Sequence, residues 1–139
     1  LSIFTDSGVD RVRINPDGFA LTGAAKITCP EFIAASDRRL KQNIVPLETS
    51  AALATVAAMG PCTYQFKSRP EDQRCGVIAQ ELAELAPELV KHTEKGTLAV
   101  DYNDMNAYLI GAIQALKSQV EEQADVIQRL SQSIPVAAL

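Results

Sequence analysis

Apolar positions change their period along the chain, and the change divides it into three stretches. In the last, Leu109, Ile113, Leu116, Val120, Gln123, Ile127, Leu130 and Ile134 follow at steps of 4, 3, 4, 3, 4, 3 and 4. Such steps keep one stripe on one side of a helix, with Ile113, Val120, Ile127 and Ile134 at heptad position a and Leu109, Leu116 and Leu130 at d. The stripe predicts a long C-terminal helix suited to coiled-coil packing, stopped at Pro135. β-Branched residues at a with Leu at d favour a parallel dimer. Ile110, Ala112, Ala124 and Val126 at the flanking e and g positions widen the stripe, and Gln123 at d could be satisfied by its symmetry mates in a ring. Periodicity therefore leaves dimer and trimer open, with a helix packed on its own domain as the competing reading.

The first stretch, residues 1–35, alternates with period two between turn signals. Arg11-Val12-Arg13-Ile14 and Phe19-Ala20-Leu21 read as half-buried strands, Asn15-Pro16-Asp17-Gly18 as the turn between them, and Ala25-Lys26-Ile27 as a further strand after Gly23. Strands so short and sparsely apolar need partners from elsewhere, unless they form a meander on the edge of a globular domain. The middle stretch mixes both periods. A helix is expected within Glu48–Met59, closed by Gly60-Pro61, and a strand over Cys62–Phe66. A charged loop containing Pro70 is expected over Lys67–Arg74, then an amphipathic helix over Ala79–Ala86 with Ile78, Leu82 and Leu85 on one face, limited by Pro87. Glu88–Lys91 and Leu98–Tyr102 resemble hairpin arms around Glu94-Lys95-Gly96. The middle third is thus α+β.

Composition adds one constraint and several exclusions. A chain of 139 residues with 47% hydrophobic content is not disordered, but much of that content is Ala and there is no Trp. Large core side chains are in short supply, which points to burial between subunits. The net charge of −4 and pI near 5.0 argue against a nucleic-acid footprint. No apolar run approaches the roughly 20 residues that span a bilayer, so a soluble chain without membrane contact is expected. The opening Leu1-Ser2-Ile3-Phe4-Thr5-Asp6 has neither an initiator Met nor a signal-peptide pattern, and reads as the interior of a longer protein. Cys29, Cys62 and Cys75 lack a CxxC spacing and read as reduced thiols, and His92 is the single histidine. No metal or other cofactor is expected.

Candidate chemistry lies where the first stretch meets the second. Ser36 and Lys41 sit five residues apart, just after the small residues Ala34 and Ala35. A serine hydroxyl becomes a useful nucleophile beside a base. An ordinary lysine, with pKa near 10.4, is neutral in only about one molecule in 2,500 at pH 7. Burial or nearby positive charge raises that fraction, and Arg38 and Arg39 supply such charge while Asp37 opposes it. Attack of Ser36 Oγ on the Ala35 carbonyl would turn the peptide bond into an ester that water could hydrolyse. Spacing works against a direct contact: five residues turn through about 500° on a helix and fall on opposite faces of a strand. Contact requires a turn, a helix-start geometry or a lysine from a neighbouring subunit. The competing reading makes Ser36 or Asp37 a helix N-cap and leaves Lys41 solvated.

Ser36-Asp37-Arg38-Arg39-Leu40-Lys41-Gln42-Asn43-Ile44 resembles the Ser-Asp-x-Arg-Leu-Lys-x-Asn-Ile signature of the self-cleaving intramolecular chaperone domain of phage tailspikes, tail fibres and endosialidases. Gly76-Val77-Ile78-Ala79-Gln80-Glu81-Leu82 with Pro87-Glu88-Leu89-Val90 is similar to a second segment of that domain. Val100-Asp101-Tyr102, followed by Leu109-Ile110, Ala112-Ile113 and Leu116, is similar to a third. The resemblance implies a homotrimer, which would settle the oligomer order that periodicity leaves open. It implies that Ser36 and Lys41 form a serine–lysine dyad and that the cut falls between Ala35 and Ser36. It implies an α+β fold in three parts: residues 1–35 as the end of a β-rich fibre stalk, 36–104 as the chaperone core, and 105–134 as the helix of a parallel trimeric coiled coil. The upstream stalk would be the client, folded in the host cytoplasm during virion assembly, and the chaperone would be released after one turnover. With the dyad aligned only in the trimer, cleavage would depend on correct assembly. A permanent, non-cleaving structural cap of a fibre is the alternative function. A membrane-bound transcription factor releasing its upstream half is a third reading, which the acidic charge and the lack of a basic region disfavour.

Overall fold

The computed structural model describes residues 2–4, 10–15, 18–21, 30–31, 33–93 and 96–133. The chain divides into two compact units, residues 1–43 and 44–139. Asn43, the last residue of the first unit, adopts φ 53, a left-handed backbone that asparagine tolerates better than most side chains do.

The first unit holds a three-stranded antiparallel sheet of β1 (Ser2–Phe4), β2 (Asp10–Asn15) and β3 (Gly18–Leu21). The register sets Val12 opposite Leu21, Ile14 opposite Phe19 and Ile3 opposite Val12. The period-two reading of 11–14 and 19–21 is met by β2 and β3, with Asn15 opposite Gly18. Pro16-Asp17 and Ala25-Lys26-Ile27 lie outside the described residues.

The second unit begins with α1 (Thr49–Ala58). The Glu48 carboxylate starts it by accepting from the Ser50 and Ala51 amides at 3.1 and 2.6 Å, which satisfies two donors that have no intrahelical partner. A bond from the Ser50 hydroxyl, then the two amide bonds, hold the Glu48 carboxyl below the usual range. β4 (Cys62–Phe66) pairs antiparallel with β5 (Arg69–Gly76). This corrects the loop expected over Lys67–Arg74. The hairpin is solvated along most of its length, so apolar alternation never marks β5. The register jumps from Gln65–Gln73 to Phe66–Arg69, leaving 70–72 without direct opposites, and this is where Pro70 is tolerated. Arg69 and Arg74 approach Asp72 to 3.8 and 3.6 Å, so the charges that suggest a loop face one another. Tyr64 meets Phe66 edge to face, their ring centroids 5.3 Å apart.

α2 (Ala79–Leu85) follows and ends at a 3₁₀ turn, Pro87–Leu89. Its buried face differs from the expected one. Leu82, Ala86 and Leu89 are almost fully buried with Met105, whereas Ile78 and Leu85 are 38% and 41% exposed. The turn opened by Pro87 carries Leu89 into the core and so moves the apolar face round the helix. Met59, Val77, Val90, Val100 and Tyr108 close over the cluster. β6 (Val90–His92) and β7 (Leu98–Val100) form the expected hairpin, with Gly96 at φ 78 in its connection. Asp101 and Tyr102 leave the strand. Asp101 Oδ1 instead accepts from the Asn103 and Asp104 amides at 3.1 Å, capping the long helix α3 (Tyr102–Ser133). Tyr108 donates to Glu88 Oε1, which ties α3 to the Pro87 turn, lowers the Glu88 carboxyl and raises the Tyr108 hydroxyl.

The long helix therefore presents two faces. Met105, Gly111, Ala112 and Ala115 are buried within the unit. A Cβ on Gly111 would lie 3.1 Å from Ala52 Cβ and 3.5 Å from Leu47 Cδ2, so α1 and α3 meet at the bare backbone of that glycine. Ala112 is thus withdrawn from the stripe it was expected to widen. The heptad seam itself, Leu109, Ile113, Leu116, Val120, Ile127 and Leu130, stays between 40% and 66% exposed. Ile134 lies outside the described residues. The expected long helix is present as Tyr102–Ser133, beginning three residues before 105, and the chain alone leaves its seam uncovered. Among the described residues, no helix is long and apolar enough to cross a membrane.

Gly111→Leu should force α1 from α3 and lower the unfolding free energy by about 1–3 kcal/mol, read as a reduced urea midpoint. An unchanged midpoint would show that the close approach does not support the fold.

Candidate active site

Ser36 and Lys41 lie in the first unit, on either side of a short 3₁₀ turn, Arg38–Leu40. Asp37 before the turn and Lys41 after it are both extended, at φ −64, ψ 133 and φ −118, ψ 148. Two backbone bonds close the turn, Leu40 N to Asp37 O at 3.0 Å and Lys41 N to Arg38 O at 3.1 Å. A 3₁₀ helix makes one revolution in three residues, so the backbone leaving at Lys41 returns to where it entered at Ser36. Lys41 Nζ then donates to Ser36 Oγ at 2.7 Å. The contact that neither a regular helix nor a strand allows at this spacing is made by a turn.

That bond forms within one chain. Alignment of the two side chains accordingly needs no neighbouring subunit, which corrects the expectation that only a trimer would align them. The competing cap reading also proves half right, since Asp37 caps the turn while Lys41 is engaged rather than solvated alone.

The part sequence reasoning missed is a clamp between Asp37 and Arg39. Asp37 Oδ1 accepts from the Arg39 amide at 2.8 Å and from Arg39 Nε at 3.1 Å. Asp37 Oδ2 accepts from Nε at 3.1 Å and from Nη2 at 2.6 Å. Arg39 thus spends its guanidinium on the carboxylate two residues before it. In the sequence Asp37 is read as a candidate cap and as a charge beside the lysine, and its fork with Arg39 goes unread. The available signal was the aspartate itself, which readily bonds the amide two residues on.

The site is open to water. Every residue from Ile33 to Leu47 is exposed, including large apolar ones: Ile33 at 79%, Leu40 at 75% and Val45 at 81%. An apolar groove of about 130 Å³ lies within the second unit, lined by Met59, Val77, Ile78, Leu82 and Leu85 with Glu81.

The Arg39 side chain, then its amide, hold the Asp37 carboxyl below its usual range, and the pairing raises the guanidinium in turn. A lowered carboxyl stabilises the turn fully above the ordinary aspartate range and stops doing so as pH falls through the lowered value. Carbon-detected NMR should find Asp37 titrating below ordinary aspartates, and Arg39→Ala should return it towards them. An ordinary midpoint in the unsubstituted chain would mean that the clamp does not persist in solution.

With the geometry in view, three comparisons bear on the chain. Long tail fiber protein Gp37 of Salmonella phage S16 is 29% identical to it across 93% of this chain. The chain spans only 19% of that relative's length. Its fold is similar to the carboxy-terminal domain of the bacteriophage T5 L-shaped tail fiber with its intra-molecular chaperone domain, at a TM-score of 0.53 and 15% identity. That likeness covers 84% of this chain and 41% of the other. Residues 36–91, from the serine of the turn to β6, match a family model of their own. That model is of the peptidase family described as chaperone of endosialidase, which this segment resembles.

Proposed function

We propose that this chain is the C-terminal end of a phage tail fibre or tailspike together with its intramolecular chaperone, which trimerises, guides folding of the upstream stalk and then cuts itself free between Ala35 and Ser36. The observation that carries the reading is the 2.7 Å bond between Ser36 Oγ and Lys41 Nζ at the start of the family segment. Similarity to a phage long tail fibre protein supports the setting, and the family supports self-cleavage in general.

In the bond as it stands, Nζ–H donates to Oγ; as a base, the neutral amine accepts the hydroxyl proton along the same line. Oγ then attacks the Ala35 carbonyl carbon. The C–N bond breaks, the proton held by Lys41 passes to the leaving amine of Ser36, and an ester joins Ala35 to the Ser36 side chain. Water adds to that ester, leaving a carboxylate on Ala35 and restoring the Ser36 hydroxyl. Each chain turns over once, because substrate and enzyme are the same molecule. The released piece holds the core, 36–104, and the helix, 105–134, and residues 1–35 stay with the fibre.

Assembly supplies what the open turn lacks. Taking an amine out of water favours its neutral form. The uncovered seam on α3 and the exposed apolar residues around the turn are surfaces that a parallel trimer would bury. A stalk of interchain strands forms contacts distant in sequence and folds slowly, so a module that trimerises first raises the local concentration of its strands. Removing the module leaves a product protected by a high unfolding barrier. On this reading the stalk folds in the host cytoplasm before the virion is complete.

Purified protein should convert on a denaturing gel to two fragments, the larger beginning at Ser36 by N-terminal sequencing. Ser36→Ala and Lys41→Ala should each leave the chain intact and still trimeric. Persistent full-length wild-type trimer would favour a non-cleaving structural cap, and a fragment starting elsewhere would exclude this dyad.

Ile127→Asp, placing a charge in the exposed seam, should reduce the trimer to monomer in analytical ultracentrifugation and slow cleavage with it. A trimer that survives would remove the seam from the interface.

A further inference from the structure

We propose that Asp37 is the positioning residue of the Ser36–Lys41 pair, acting by closing the turn that joins them and not by touching the reacting atoms. The inference rests on the reading of that pair as the cleaving dyad.

Three observations lead to it. First, the pair meets only because the backbone between its members turns once, and that turn has two backbone hydrogen bonds, Leu40 N to Asp37 O and Lys41 N to Arg38 O. Second, the turn has no core behind it, since residues 33–47 are exposed throughout. Ordering three residues costs more than two solvated bonds return, so an isolated turn of this kind would open readily. Third, the Asp37 carboxylate supplies the missing restraint. It accepts from the Arg39 amide at 2.8 Å inside the turn, and the Arg39 side chain forks onto both its oxygens at 2.6–3.1 Å. The amide bond closes the turn directly, and the fork fixes the carboxylate in the orientation that the amide bond requires.

Every hydrogen bond of that carboxylate among the described residues goes to Arg39, and none goes to Ser36 or Lys41. Asp37 is therefore not an orienter of the base in the manner of a triad carboxylate. Its influence passes through the backbone. When the turn opens, two side chains five residues apart lose each other, because the extended and helical alternatives both separate them.

The distinction has a chemical signature. Asparagine keeps a carbonyl oxygen that can cap the Arg39 amide, and alanine does not. In the full chain, Asp37→Ala should slow single-turnover cleavage at least about tenfold, as loss of prealigned geometry does. Asp37→Asn should recover it to within about threefold of wild type, because the cap survives. Both variants should sediment as the wild-type oligomer. Amide hydrogen exchange at Leu40 and Lys41, measured by NMR, reads the turn whether or not cleavage occurs: it should accelerate in Asp37→Ala and stay near wild type in Asp37→Asn. Wild-type cleavage in Asp37→Ala, equal slowing in both variants, or unchanged Leu40 and Lys41 exchange in Asp37→Ala would each overturn the proposal. A wild-type chain that never cleaves would instead overturn the function reading, with the exchange data still deciding the part played by Asp37.

Discussion

The second unit depends on the contact of α1 with α3 at Gly111. A helix interior rarely favours glycine, which costs about 1 kcal/mol against alanine there. Here its missing side chain lets Ala52 and Leu47 approach the bare backbone, beside the small Ala112 and Ala115. That contact fixes the rotation of the long helix. At about 100° per residue, the buried positions and the heptad seam lie about 90° apart around α3. With one face committed to α1, the seam must point away. A single contact thus divides the apolar surface of α3 between folding of the chain and whatever the seam meets.

The division accounts for an unusual allocation of side chains. The buried apolar set among the described residues is mostly alanine, with Leu82, Leu89 and Met105 as its large members. Isoleucines, valines and further leucines stand along α3 and around the turn, exposed. A chain that kept its large apolar groups for its own core would place them the other way. The same economy appears at the candidate active site. Ser36 and Lys41 are already in contact, yet no wall excludes water from them. Geometry is built into the chain, while enclosure of the pair is left open. On the proposed reading, assembly gates cleavage by changing the dyad's environment and not its alignment.

Periodic features were legible in the sequence, and their limits are physical. The heptad stripe announced α3, and alternation announced β2, β3 and β4, because a repeated burial pattern leaves a repeated spelling. β5 was hidden because a solvated hairpin needs no apolar alternation and because its charges stand near one another, with Asp72 between Arg69 and Arg74. The buried face of α2 was misread since Pro87 begins a new turn that brings Leu89 inward, a change no helical wheel contains. Asp101 read as strand and serves as a cap, one residue beyond where the alternation stops. Ser36 and Lys41 were paired by signature, whereas which of three routes joins them stayed open, because spacing rules describe regular elements and this contact belongs to a single turn. The cap by Asp37 was legible as a competing reading, whereas its fork with Arg39 was not, because both charges were set against the lysine and not against each other.

The central claim is that Ser36 attacks the carbonyl of Ala35 through an ester. Hydroxylamine intercepts esters faster than it attacks amides, so its addition during assembly offers the most direct test, read by intact mass. The account predicts an upstream fragment ending in a hydroxamate at Ala35, beside a fragment that begins at Ser36. A chain that assembles and stays whole, or one cut without any hydroxamate at Ala35, would contradict it.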